Sequence, residues 1–432
     1  MTAEVIIMNK NGVAMAADSA ATLVNSFGRG KVYNSANKLF RLSKISSIGI
    51  LVYENSSINN IPWELIIKKF RSKTNKSRWS SLQECSNSFI QHLNLNDIDK
   101  EKSENWYVRS VIDRILFSFS NSLQKEIVNI INNKQNSNIQ ENEINESIAN
   151  FVGKELNLLE NSKIFKGVSE NIEKIIDEKY GILLATKIEA FFASFQRFSY
   201  LSPLIHKICV KALYRENKWS PYTGIAFCGY GDDEYFPGCI VLRAFGVLNG
   251  CFLYTELMSS RITIDDEVLI LPLAQSDVAN TFICGMSPQT QSNLIQRTEI
   301  IRAKLFKTLE ESLLTQDFII KEKEANAKFI VKTIIDKYID AYLKNIDSIL
   351  QDNANEIIAA VVNLSVPDLA LMAKNLVEMT SFKRRVSLDL ETVGGPIDVA
   401  VISKGDGFIW IERKHYFKRE LNEHFFEGYK DR

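Results

Sequence analysis

Net charge is the first thing this sequence lacks: Lys+Arg and Asp+Glu both number 52, a formal charge of +0 at pH 7. A balanced chain has no basic field to draw phosphate backbones or anionic headgroups, so neither nucleic acid nor membrane is expected as a partner. Long apolar runs are missing too. No stretch approaches the ~18 uninterrupted apolar residues of a membrane-crossing helix. The N-terminus, MTAEVIIMNKNG, has no basic start ahead of an apolar run and a small-residue cleavage site, so no secretory leader is expected. The six cysteines, at 85, 209, 228, 239, 251 and 284, form no CxxC pair, and the four histidines are dispersed. Neither a metal site nor a disulfide framework is expected, no cofactor is called for, and a cytoplasmic location suits the chain.

What is present is a chain of 432 residues, 45% hydrophobic, enough to bury a large core across about two or three domains. Residues 4–8 (EVIIM) and 13–17 (VAMAA) are short apolar runs around Asn11-Gly12, a strong hairpin signal. KLFRL (38–42) and IGILVY (48–53) read as a second strand pair. Helical spacing of apolar residues then dominates, as in WELIIKKF (63–70) and WYVRSVIDRILFSFSNSLQKEIVNII (106–131). Residues 132–146 read as an exposed polar connection. Strand character returns at 222–230 and 237–255, with a turn at Leu248-Asn249-Gly250, while 260–274 is ambiguous. A long helical stretch over 289–378 is expected to break near Gln351–Asn355 and at Pro367. PIDVAVISK (396–404) and FIWIERK (408–414) read as a last hairpin.

Strands, helices, strands, helices, strands is the order of an α+β or layered αββα fold, not of a parallel doubly wound sheet. The segments divide as 1–61 (β), 62–217 (helical), 218–288 (central strands), 289–380 (helical) and 381–432 (final strands and tail).

The chemistry concentrates at the start. Cleaving an amide needs a nucleophile and a base within hydrogen-bond reach. A hydroxyl on the first residue of a mature chain has its own α-amine, titrating near ~8, as that base. Thr2 becomes such a residue if Met1 is removed, and small residues after Met favour removal. The hairpin returns the chain to Ala16-Ala17-Asp18-Ser19 and is expected to place Asp18 beside Thr2. Lys38 opens the next strand; a carboxylate beside it keeps it charged and oriented, and its ammonium favours the anion of a neighbouring hydroxyl.

NGVAMAADSAATL followed by KLFRL resembles proteasome β subunits and the HslV peptidase, N-terminal nucleophile (Ntn) hydrolases. In that family the mature chain starts with Thr, an Asp follows sixteen residues later in a similar context, and a Lys opens the next strand. The resemblance makes Thr2, Asp18 and Lys38 catalytic, and Thr22 the residue whose backbone pairs with substrate. It places the oxyanion segment near Tyr53, Glu54 and Asn55, which carries no glycine here. GGPIDVAVISKGDGFIWI (394–411) resembles the family's closing segment and CGYGDDEYFPGCIVLRAFG (228–246) its middle strand pair, so the likeness touches the start, middle and end of the chain. The closing segment departs from the pattern. Its Asp and Ser positions hold Leu390 and Val393, which leaves Asp389, Glu391 and Thr392 as neighbouring supports, while the family's Gly-Ser-Gly before the third helix falls at Gly285-Met286-Ser287 and makes Ser287 a candidate displaced by one residue.

The resemblance implies a four-layer αββα sandwich, with helical layers at 62–217 and 289–378 larger than the fold needs. It implies a threonine-type peptidase or amidohydrolase acting on a peptide or protein substrate, assembled as a homo-oligomer, with an unfoldase or other protein as possible partner. The alternative is a catalytically inactive proteasome-like scaffold or regulatory subunit that binds a partner through its long helices. A small-molecule amidase keeps the same residues. His92, His206, the strand cysteines and the acidic clusters Asp232–Glu234 and Asp265–Glu267 are expected to be structural. The Gly28–Gly30 pair reads as a linker.

Overall fold

A computed structural model of the chain describes residues 2–24, 30–74, 76–94, 100–133, 141–314, 321–387, 393–415 and 417–422. Two compact units emerge, one from Met1–Leu39 with Ile262–Arg432, the other from Phe40–Arg261.

The first unit opens with β1 (Ala3–Asn9) and β2 (Gly12–Ala17), paired antiparallel with Asn9 opposite Gly12. The expected hairpin forms, but its loop is Lys10-Asn11 and Gly12 already belongs to β2. Asn9 Oδ1 accepts the Asn11 N–H at 2.8 Å, an Asx turn that closes the loop one residue early. A Cβ on Gly12 would lie 2.8 Å from Ile402 O, so the glycine serves close strand approach. β3 (Ala21–Val24) and β4 (Gly30–Tyr33) follow as a separate two-stranded ribbon.

The second unit holds β5 (Leu39–Arg41, starting at the boundary), β6 (Ser47–Glu54), β7 (Ser57–Ile58), β8 (Ile61–Pro62), α1 (Trp63–Thr74), α2 (Leu82–Asn94), α3 (Lys100–Asn133), α4 (Glu141–Glu160), α5 (Ile172–Ala193) and α6 (Ser202–Ala212). It closes with β9 (Thr223–Tyr230), β10 (Gly238–Leu248) and β11 (Cys251–Arg261). Residues 132–146, expected as a connection, narrow to 134–140, which lie outside the described residues, because α3 and α4 run in from either side. The sheet order is β11-β10-β9-β6-β5. Ile48, Ile50, Val52, Ile225 and Phe227 bury one face against Trp63, Ile66, Phe70 and Phe89 of α1 and α2. Helices α3–α6 form a second core around Ile112, Val152, Ile176 and Ile205. Between β10 and β11, Asn249 and Gly250 take φ 50° and 74°, the left-handed pair that matches strand twist in a two-residue hairpin.

The chain then returns to the first unit through β12 (Val268–Ala274), α7 (Asp277–Cys284), α8 (Pro288–Leu314), α9 (Lys321–Val362), α10 (Val366–Val386), β13 (Asp398–Ser403) and β14 (Gly407–Glu412). The ambiguous 260–274 stretch is the end of β11 and all of β12. α9 runs unbroken through Gln351–Asn355, where polar residues suggested an interruption. The chain does break before Pro367, with Ser365 as the N-cap of α10. The sheet order is β12-β1-β2-β13-β14, with every neighbouring pair antiparallel. Ala3, Val5, Ile7, Ala14 and Ala16 face Leu369, Ala373, Leu376 and Val377 of α10. The alternate residues, Glu4 among them, therefore point to the opposite face.

The fold is thus α+β with antiparallel sheets, as the order of elements implied. Among the described residues, no helix is long and apolar enough to cross a membrane.

Candidate active site

Thr2 stands one residue before β1, and Glu4 lies two residues on, on the same face. Glu4 pairs with Ala17 on one side and Leu273 on the other, so two strands hold its backbone. Asp18 directly follows β2. Its N–H donates to Ala3 O at 3.1 Å, which extends the hairpin to the residue beside Thr2. Lys38 sits just before β5. All four side chains belong to the first unit and are buried, Thr2 at 4% exposure and Glu4 at 1%.

Asp18 is fully engaged. Oδ1 accepts the Ala3 N–H at 3.1 Å and the Lys38 ammonium; Oδ2 accepts the N–H groups of Ala20 at 3.1 Å and Gly394 at 3.0 Å. Ser19 strengthens the last link, its N–H donating to Gly394 O at 3.2 Å and its hydroxyl to Pro396 O. Gly394 and Pro396 thus fasten onto Asp18 and Ser19.

Lys38 Nζ contacts a second carboxylate, lying 3.3 Å from Glu4 Oε1. Beyond this ion pair, Oε1 has no further polar partner among the described residues. Glu4 Oε2 accepts the Thr2 hydroxyl at 3.1 Å. Burial pushes the Glu4 carboxyl from 4.5 up to about 8; Lys38 pulls it down, Asp18 pushes it further up, and the Thr2 hydrogen bond pulls it down. The Thr2 carbonyl is also pinned, accepting the Gln275 N–H at 3.0 Å where Ala274 turns the chain at φ 55°.

The expected residues fare differently. Asp18 and Lys38 are in contact. Asp18 reaches the Ala3 N–H, and it is Glu4 that holds the Thr2 hydroxyl. Thr22 pairs with Val32 in the β3–β4 ribbon, which leaves the other edge of β3 without a strand among the described residues. Tyr53, Glu54 and Asn55 lie in the second unit. The Tyr53 ring covers Gly224, where a Cβ would fall 1.9 Å away. Glu54 takes φ 68°, a left-handed backbone that favours glycine. Asn55 Nδ2 donates to Tyr222 O at 2.6 Å. Ser287 caps α8, accepting the Thr290 N–H at 3.1 Å, and makes no hydrogen bond with Thr2, Asp18 or Lys38 among the described residues. Asp389, Glu391 and Thr392 fall outside the described residues.

Glu4 is the participant that sequence reasoning missed. Its signal was a single acid inside the apolar run EVIIM, in phase with Thr2. The other acidic candidates have structural partners: Glu234 Oε2 accepts the N–H groups of Gly231 at 2.7 Å and Leu82 at 3.2 Å. Thr263 Oγ1 accepts those of Asp265 at 3.2 Å and Asp266 at 2.8 Å. Cys228 and Cys239 are buried free thiols facing each other across β9 and β10. A cavity of about 320 Å³ between α10 and the 395–397 segment contains none of Thr2, Glu4, Asp18 or Lys38.

Compared with known proteins, the sequence matches no protein-family model and no curated protein.

Proposed function

We propose that the chain is a proteasome-like N-terminal threonine hydrolase that cleaves peptide or related amide bonds through an acyl-enzyme on Thr2. The observation that carries this reading is the buried chain of contacts from Asp18 to Lys38 to Glu4 to the Thr2 hydroxyl. Lys38 reaches the Thr2 hydroxyl through the Glu4 carboxylate, and a positive charge near a hydroxyl favours its alkoxide; Asp18, anchored by three backbone N–H groups, holds that ammonium in place. Thr2 Oγ1 attacks the amide carbonyl and its proton passes to a base within reach. The amine leaves protonated, and water then hydrolyses the Thr2 ester. Met1 removal belongs to the proposal, because it frees the α-amine of Thr2. A substrate strand pairing with the open edge of β3 beside Thr22 suits a peptide. The four-layer αββα sandwich belongs to the same proposal. Its support is that each unit has a five-stranded antiparallel sheet with its own helices, and that β1 and β2 are buried along their length. Assembly into a homo-oligomer, with an unfoldase as partner, is part of what the resemblance implies.

Hydrolysis of a panel of fluorogenic peptide amides tests the reading. Thr2→Ala should abolish turnover, Thr2→Ser should keep part of it, and Lys38→Ala should cost on the order of 10²–10⁴-fold in kcat. Turnover by Thr2→Ala at the wild-type rate would contradict it. The burial of Thr2 favours a second reading, a silent scaffold whose long helices bind a partner; that reading expects no turnover from any of these proteins.

A further inference from the structure

We propose that Glu4 is a catalytic residue of this site, its carboxylate taking the proton from the Thr2 hydroxyl as that oxygen attacks a carbonyl. The inference rests on Thr2 being the nucleophile, and goes beyond that reading in naming the base. Three observations carry it. Thr2 Oγ1 already donates to Glu4 Oε2 at 3.1 Å, the geometry a proton acceptor needs. Asp18 cannot serve, since both its oxygens are occupied and the neighbour it holds is the Ala3 N–H. Glu4 is also costly as a structural element. It stands in an apolar strand beside the fully buried Ile6, and the ammonium it contacts at 3.3 Å, that of Lys38, has a nearer carboxylate partner in Asp18. A buried acid that shares its cation with a second carboxylate and takes the hydroxyl of the candidate nucleophile is explained by proton transfer better than by packing.

The step balances. Thr2 Oγ1 forms a bond to the carbonyl carbon, the carbonyl π pair moves to its oxygen, and the hydroxyl proton moves to Glu4 Oε2. When the tetrahedral species collapses, the C–N bond breaks and Glu4 returns the proton to the departing nitrogen, leaving the Thr2 ester and an ionised Glu4. The charged groups that face Glu4 are Lys38 and Asp18, and removal of Met1 adds the Thr2 α-amine two residues away, which titrates at ~8 as well. On either side of it in the sheet stand Ala17 of β2 and Leu273 of β12, and the side of β1 that meets α10 is apolar. With its carboxyl raised to about 8, chiefly by burial, Glu4 gains basicity whenever it is ionised.

The test follows acylation of Thr2 by a β-lactone probe, read by intact mass, between about pH 6 and about pH 10. In the wild type the rate should rise through about 8. Glu4→Gln keeps an acceptor for the Thr2 hydroxyl but not the base. It should slow acylation by about 100-fold or more and flatten the rise. If Glu4→Gln acylates at the wild-type rate with the same rise, the Thr2 α-amine is the base and the proposal is wrong. Circular dichroism checks the fold of each variant. Should Glu4→Gln fail to fold, Glu4→Asp decides: a slower rate that still rises with pH supports the proposal, and an unchanged rate overturns it. If wild-type Thr2 is never acylated, the nucleophile reading fails and the role of Glu4 falls with it; acylation of the wild type but not of Thr2→Ala separates the two failures.

Discussion

Glu4 links pH to stability as well as to the proposed chemistry. Its carboxyl titrates at 4.5 when unfolded and at about 8 in the folded chain, so the native state binds the extra proton between those values. A raised folded value means that its contribution is fully present below 4.5 and is lost as pH rises through about 8. Glu4→Gln, a permanent mimic of the neutral acid, is therefore expected to unfold at a higher temperature than the wild type at about pH 9, with the gain disappearing near pH 4.5. Thermal melts of both proteins at the two pH values check this; a gain of equal size at both would contradict it. At this scale the sequence was partly legible. Asp18 could be placed because hairpin register is a matter of counting, whereas Lys38 was marked by its place at the start of a later strand and by the family resemblance. The partner of the Thr2 hydroxyl could not, because one acid in an apolar run looks the same whether it pairs with a lysine, faces solvent at a strand end or holds a nucleophile.

Among the elements, one buried amide ties β1 to the end of α9, beside the packing of Val361 on Val5 and Ile7. Asn9, fully buried, directs Nδ2 to the carbonyls of Val361 and Leu364, each at 2.9 Å, and of Val362 at 3.3 Å. These carbonyls lie at and just beyond the C-terminus of a 42-residue helix, where intrahelical donors run out. Leu364 O also accepts from Asn11 Nδ2 and Val361 O from the Leu364 N–H, so among the described residues Asn9→Ala strips Val362 O alone of its last donor and is expected to cost about 1 kcal/mol, read as a lower urea midpoint at unchanged slope. A loss below about 0.5 kcal/mol would mean that other donors replace Nδ2. Most strands were readable from alternation and turn residues, as at Asn249-Gly250. The exception at Gln351–Asn355 is instructive. Asn and Asp favour turns because their side chains compete for local backbone groups, but there they lie on a helix whose apolar seam continues past them, and packing overrides the local preference.

At the level of the whole molecule, the first unit is assembled from both ends of the chain. Ala3 pairs with Ala274 and Ala17 with Asp398, while Phe40–Arg261 forms the second unit in between. Bringing such distant strands together costs loop-closure entropy and makes folding depend on contacts far apart in sequence. For that reason the sequence revealed the alternation of strands and helices but not which strands share a sheet. β1–β2 and β5–β6 are neighbours in the chain, yet they enter different sheets. The same topology brings Gly394 onto Asp18, so the candidate site is complete only when the last strands have joined the first. The most direct test of the central claim is the intact mass of the purified wild-type protein before and after incubation with an epoxyketone or β-lactone. The account predicts a chain that lacks Met1 and gains a single adduct, mapped to Thr2 and absent from Thr2→Ala. A folded protein that retains Met1, or whose Thr2 is never modified, would contradict it.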